Sequence, residues 1–187
     1  MYEVVSGLLE VFSAMFQGYC LQYFFGSFLE SRIRNRRTGG LAAAVLYGVL
    51  RLGMGFILPK GYTSFWVFIR LAVILCIVSM IALVFYRVVG KITLFLIVTF
   101  MAVGEMSVFL AHIFFELASH LFRLWGWCLE NGYISPLEFY NRVINIITIG
   151  NQILFHVIGA VLLYFTMRRI VQDYREKDYA VHRTELL

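Results

Sequence analysis

The sequence predicts an all-α membrane protein: a polytopic bundle of transmembrane helices with five full spans, its N-terminus outside and its C-terminus cytoplasmic. Three observations carry that expectation. Apolar residues make up 61% of the chain and the mean hydropathy is +0.81, whereas soluble domains run at about 45–50% apolar. Charged residues are 14% of the chain, against about 25% in soluble domains. The apolar residues also fall in long runs that a soluble fold of this length has no interior to hide. A transmembrane barrel would need short alternating segments instead.

The first span is expected from about Val4 to Phe25, close to the ~20 residues a bilayer crossing needs. SRIRNRRTGG follows, with Arg32, Arg34, Arg36 and Arg37 ahead of a glycine pair, and reads as a cytoplasmic loop. The second span runs from about Leu41 to Leu58 and stops at Pro59 and the turn PKGYT. The third covers about Ser64 to Tyr86 and leads into RVVGK, with Arg87 and Lys91. The fourth starts near Ile92, with its membrane part ending near His120 and the apolar run legible as far as Phe122. It is long enough that it must tilt or protrude. An outer loop over 121–142 follows, RLWGWCLENGYISPLEFYNR from Arg123, in which Trp125, Trp127, Tyr133, Phe139 and Tyr140 suit an interfacial aromatic belt. A short amphipathic helix is expected near Ser135-Pro136. The fifth span runs from about Val143 to Met167, and a helical cytoplasmic tail or connector occupies 169–187.

Orientation comes from the basic residues. Arg32, Arg34, Arg36, Arg37, Arg87, Lys91, Arg168, Arg169, Arg175, Lys177 and Arg183 lie on one side, and Lys60, Arg123 and Arg142 on the other. The richer side is cytoplasmic, and the inverse topology contradicts every loop. The net charge of +5 is explained by this bias and does not point to nucleic acid. Glu3 and the absence of an A-x-A-like exit make the first run a retained span rather than a signal peptide. At the other end, Asp173–Arg183 leads into Leu186-Leu187, compatible with a frayed tail or with a piece of a longer chain.

Polar residues inside the spans supply the candidate site. Glu105, His112, Glu116 and His120 lie within roughly 80° of one another on a helix. Ser6, Glu10, Ser13 and Gln17 share a face of the first span, and Asn141, Asn145, Thr148, Gln152 and His156 a face of the fifth. The second and third spans each hold one arginine, Arg51 and Arg70. Arg51, Arg70 and Glu10 all lie about six or seven residues, roughly 10 Å, from the outer ends of their spans. Charges unpaired in lipid cost at least about 2.5–3.5 kcal/mol each, so pairing of the arginines with Glu10, Glu105 and Glu116 is expected. Such a layer fits structural ion pairs and interhelical hydrogen bonds. It also fits an outward-open cavity, which the number of groups sharing one level favours. The candidate residues are Glu10, Arg51, Arg70, Glu105, His112, Glu116 and Gln152, with the arginines as partners for an anion or a C-terminal carboxylate.

No catalytic motif completes this layer, so the segment is not expected to be an enzyme, and no cofactor is implied. His112, Glu116 and His120 recur every four residues, but the metalloprotease pattern H-E-x-x-H is absent. Cys20 and Cys76 lie in apolar runs and Cys128 in the outer loop, with no metal-ligand spacing and no thiol-protease context beside His120. Gly48, Gly53 and Gly55 in the second span suit close helix packing.

The opening LLEVFSAMFQGYCLQYFFGSFLESRIRNRR resembles the first crossing of membrane sensor regions in GHKL-type histidine kinases, the accessory gene regulator type of peptide-pheromone receptor. The resemblance rests on Glu10, on Tyr23-Phe24-Phe25, and on Phe28-Leu29-Glu30 leading into a basic loop; the tail DYREKDYAVHRTELL is similar to a connector in such sensors. It implies a signal-sensing bundle that would feed a cytoplasmic kinase. No kinase is present in the chain, and AVHRTELL around His182 does not match the phosphoacceptor region. The implied partners are membrane lipid and an extracellular small-molecule or peptide signal. A homodimer is compatible with this reading, and the implied location is a multi-pass position in a bacterial plasma membrane. An alternative is similarity to the substrate-binding subunits of energy-coupling-factor vitamin transporters. Those usually have six spans and an A-x-x-x-A seam in the first, a pair that Glu10 to Gly18 does not offer.

Overall fold

A computed structural model describes residues 2–33, 35–58, 64–133, 135–138 and 145–176. The elements are α1 (Tyr2–Phe28), α2 (Arg36–Ile57), α3 (Ser64–Phe85), α4 (Gly90–Glu130), α5 (Pro136–Glu138) and α6 (Asn145–Glu176). Five of them, all but α5, are long and apolar enough to cross a membrane. Their outer surface supports a bilayer setting: Phe68, Phe95, Phe109 and Leu94 are more than 60% exposed, far more apolar surface than a water-soluble monomer presents.

The five long helices close a ring. α1 packs tightly on α2 and α6, α4 packs on α6, and α3 completes the circuit between α2 and α4, loosely on the α4 side. The α1–α2 seam is built from small residues. A Cβ on Gly18 would run into the carbonyl of Ala44, one on Gly48 would sit 2.7 Å from the Met15 sulfur, and one on Gly40 would press on Gln22. Gly40, Ala44 and Gly48 recur every four residues on α2, the spacing that lets two backbones approach. Ala14 and Gly18, also four apart, are buried on α1. On α1 the seam uses Ala14 and Gly18, an A-x-x-x-G pair rather than the A-x-x-x-A pair that the sequence lacks, with Gly18 turned onto a neighbouring helix of the same chain. Of the second-span glycines only Gly48 serves packing; Gly53 and Gly55 have open space beside them.

Helix boundaries differ most from the sequence expectation in two places. α2 begins five residues early because Asn35 caps it, accepting from the Arg37 N–H at 3.1 Å. The glycine pair, expected in the loop, lies within the helix because Gly39 and Gly40 are buried against neighbouring side chains. α4 runs for 41 residues, about 60 Å, so the expected outer loop 121–142 starts ten residues late and Cys128 lies on a helix. The stop is a Schellman motif: Gly132 at φ +74° donates to Leu129 O at 3.1 Å, and Tyr133 donates to Cys128 O at 2.9 Å. Trp127 stacks on Tyr133 with centroids 5.9 Å apart. The short helix expected near Pro136 is the single turn α5. The expected roles of Arg34, Pro59, Lys60, Phe139, Tyr140, Asn141, Arg142, Lys177, His182 and Arg183 fall outside the described residues, as do those of the side chains of Arg36, Arg123, Trp125, Asn145, Thr148 and Arg175.

The interior is filled at one end of the ring only. Leu21, Phe24, Phe25, Val78, Ile81, Leu96, Met167 and Val171 are fully buried, and the Phe25 ring meets Tyr86 and Phe100 at 5.8 and 6.3 Å. At this end the α1–α2 and α3–α4 connections are joined by an antiparallel bridge between Ser31 and Tyr86. Arg32 N–H donates to Phe85 O and Arg87 N–H to Glu30 O, both at 2.9 Å, and the Arg87 guanidinium lies 3.2 Å from the Glu30 carboxylate. Phe28 and Tyr174 meet here at 4.6 Å, so the ends of α1 and α6 lie side by side. We call this the basic end; the other is the open end.

Candidate functional site

Toward the open end the ring does not fill, and a cavity of about 360 Å³ lies between the helices. α1 supplies Glu10, Ser13 and Gln17, successive positions of one helical face. α2 supplies Arg51 and, further along, Met54 and Leu58; α3 supplies Arg70. α4 adds Val108, and α6 adds Phe155 and His156. Glu10 is close enough to His156 for the two to interact electrostatically. Three of the seven expected residues, Glu10, Arg51 and Arg70, thus converge on one wall system from three separate helices.

A second, much smaller cavity of about 30 Å³ lies deeper in the ring, where all five long helices meet. Gln17 and Arg51 line it as well, together with Tyr47 and Glu105. The Tyr47 hydroxyl makes a long hydrogen bond, 3.5 Å, to Gln17 Oε1, and Tyr47 interacts electrostatically with both Arg51 and Glu105. Arg51 and Gln17 are the two polar residues common to the large and the deep cavity.

The ion pairing expected for Arg51 is not formed. Among the described residues no carboxylate lies within ion-pairing distance of its guanidinium, which instead approaches the Met54 sulfur at 3.9 Å. Glu105 likewise makes no ion pair with an arginine among the described residues. The reason lies in how α4 packs. Its buried face is Thr93, Leu96, Ile97, Phe100, Ser107 and Ala111, with Ala111 Cβ 3.7 Å from where a Cβ on Gly159 would stand. On a helical wheel the Glu105–His112–Glu116–His120 stripe is roughly 140° away from that face. Small residues, not charged ones, decide which side of α4 turns toward α6.

The stripe on α4 is accordingly split. Glu105 is exposed yet borders the deep cavity. His112 is exposed and rests edge-on against Phe155, centroids 5.4 Å apart, one ring removed from the large cavity. Glu116 and His120 are exposed and stand outside the large cavity's wall. Gln152 is half-buried one turn before His156, with its Oε1 buried, and is also not part of that wall. Among the described residues no group of three His, Cys, Asp or Glu side chains is gathered as a metal site.

Three polar wall residues were missing from the candidate set: Ser13, Gln17 and His156. Each stands on a stripe that the sequence displays, Ser6–Glu10–Ser13–Gln17 or Gln152–His156, so the spacing alone contained the signal. Comparison of the chain with protein-family models, with curated proteins and with solved structures finds no match.

Proposed function

We propose that this chain is the signal-sensing membrane domain of a two-component-type receptor, set in the plasma membrane of a bacterium with its N-terminus outside, and that the large cavity receives a small-molecule or peptide signal. The observation that carries this reading is the convergence of Glu10, Arg51 and Arg70 on one cavity of about 360 Å³, within the ~300–1,000 Å³ range of small-molecule sites. The positive-inside bias puts the open end of the ring, and so the cavity, on the extracytoplasmic side.

Transmission follows from the helices that line it. α1 and α6 both contribute to the cavity, through Glu10 and His156, and both run to the basic end, where Phe28 meets Tyr174. α6 continues as unbroken helix to Glu176. A ligand that binds one arrangement of α6 against α1 better than another would shift that contact, by no more than its differential affinity.

The test places nitroxide labels at Ile33 and Gln172 of the full chain in nanodiscs and measures their separation. The small-molecule fraction of spent medium from the source culture is expected to shift the distance distribution, and Arg51→Leu to abolish the shift. A distribution that no fraction changes would leave a passive membrane bundle in place of a receptor.

A further inference from the structure

We infer that the ligand of the large cavity is a small organic monocarboxylate with an apolar body, anchored at Arg51. The inference rests on the receptor reading of that cavity and narrows it to a chemical class.

The first support is the state of Arg51. Its half-buried guanidinium lines the cavity and touches a thioether at 3.9 Å, a weak acceptor for a group with five N–H donors. Among the described residues it meets no carboxylate. A guanidinium is weakly hydrated for a cation, and its planar fork matches a carboxylate through two parallel hydrogen bonds. An intramembrane arginine that lines a cavity and forms no ion pair among the described residues marks where an anion from elsewhere would bind.

The number of negative charges follows from the anchor and its neighbour. One carboxylate is what a single guanidinium fork accepts through two parallel hydrogen bonds, and Glu10 on the same wall opposes a second negative charge. The remainder of the wall sets the body. Leu52, Leu58, Val108 and Phe155 surround the polar groups, so the anion carries an apolar portion. Size completes the argument, since about 360 Å³ is near the lower end of small-molecule sites. The cavity takes a free acid or the last residue of a peptide, and not a folded peptide entire.

The experiment uses the full chain in phosphatidylcholine nanodiscs and reads the thermal midpoint against ligand concentration. The probes are short aliphatic and aromatic monocarboxylates, each with its primary amide, together with N-acetyl-leucine and its amide, a dicarboxylate, and inorganic phosphate. Acids are expected to raise the midpoint where their amides do not, and the free acids and the acetylated residue separate a metabolite from a peptide terminus. Arg51→Leu should weaken binding about tenfold or more, Arg51→Lys should retain part of it, and Glu10→Gln should strengthen it. Acid and amide acting alike on the unmodified chain, or phosphate or the dicarboxylate binding more tightly, would overturn the assignment even if Arg51→Leu failed to fold. Loss of acid binding in phosphatidylglycerol discs would give the site to a lipid headgroup and would also overturn it. Because this readout is binding alone, an acid that binds without moving the Ile33–Gln172 distance removes the receptor reading and keeps this one. A neutral compound that moves the distance does the reverse.

Discussion

Gly18 of α1 lies flat against the carbonyl of Ala44 on α2, so closely that the smallest side chain at position 18 would meet backbone rather than a movable group. This contact is the tightest point of the seam that holds the first two helices together, and it determines the spacing at which Gln17 and Tyr47 meet across it.

Substitution here has a sign that helix propensity alone gets wrong. Gly→Ala within a helix ordinarily gains up to about 1 kcal/mol, and Gly53, with open space beside it, is expected to show that gain. Gly18→Ala should instead destabilise by about 1–3 kcal/mol, because overpacking moves backbone. Thermal midpoints of the two variants in the same detergent check this; a Gly18→Ala protein as stable as Gly53→Ala would remove the seam.

The bridge at the basic end predicts a cross-link. Ser31 and Tyr86 face each other between, rather than within, the two hydrogen bonds from Arg32 and Arg87, and such a pair has Cα atoms about 4.5 Å apart, inside the range a disulfide spans. In a background with Cys20, Cys76 and Cys128 replaced, Ser31→Cys with Tyr86→Cys should oxidise readily, and Ser31→Cys with Val88→Cys far less. Equal oxidation of both pairs, read by gel shift after maleimide treatment, would contradict the bridge. The exposed Arg87–Glu30 ion pair beside it contributes about 0–1 kcal/mol, so Glu30→Gln should leave the cross-link intact.

The proposed orientation is separately testable. Tyr133, just beyond the Schellman stop of α4, and Ile33, in the basic loop, are both exposed and lie at opposite ends of the ring. In intact cells of a cysteine-free background, Tyr133→Cys should react with a membrane-impermeant maleimide and Ile33→Cys only after lysis. The reverse pattern would place the cavity on the cytoplasmic side.

Helix termination shows where local chemistry suffices. The run Leu129-Glu130-Asn131-Gly132-Tyr133 carries a helix stop in its own residues, and Gly132 at φ +74° requires glycine. Replacing Gly132 with valine should fray the last turn of α4 and release the Trp127–Tyr133 stack, seen as a red shift in tryptophan emission; unchanged emission would show that the stack does not depend on the cap.

What the sequence determines by itself is the existence of five apolar helices, their alternation along the chain and the polar positions they carry. Each of these is set within one helix, by hydrocarbon thickness and a period of 3.6 residues. Tertiary structure alone decides which polar faces turn inward. Glu10, Arg51 and Arg70 reach a common cavity, whereas the equally regular stripe on α4 reaches only the deep cavity, through Glu105, and its remainder from His112 to His120 is turned aside, because α4 packs through Ser107 and Ala111 against α6. Rotation of a helix about its axis is decided by the fit of small side chains on a neighbour distant in sequence, and no spacing within α4 contains that neighbour.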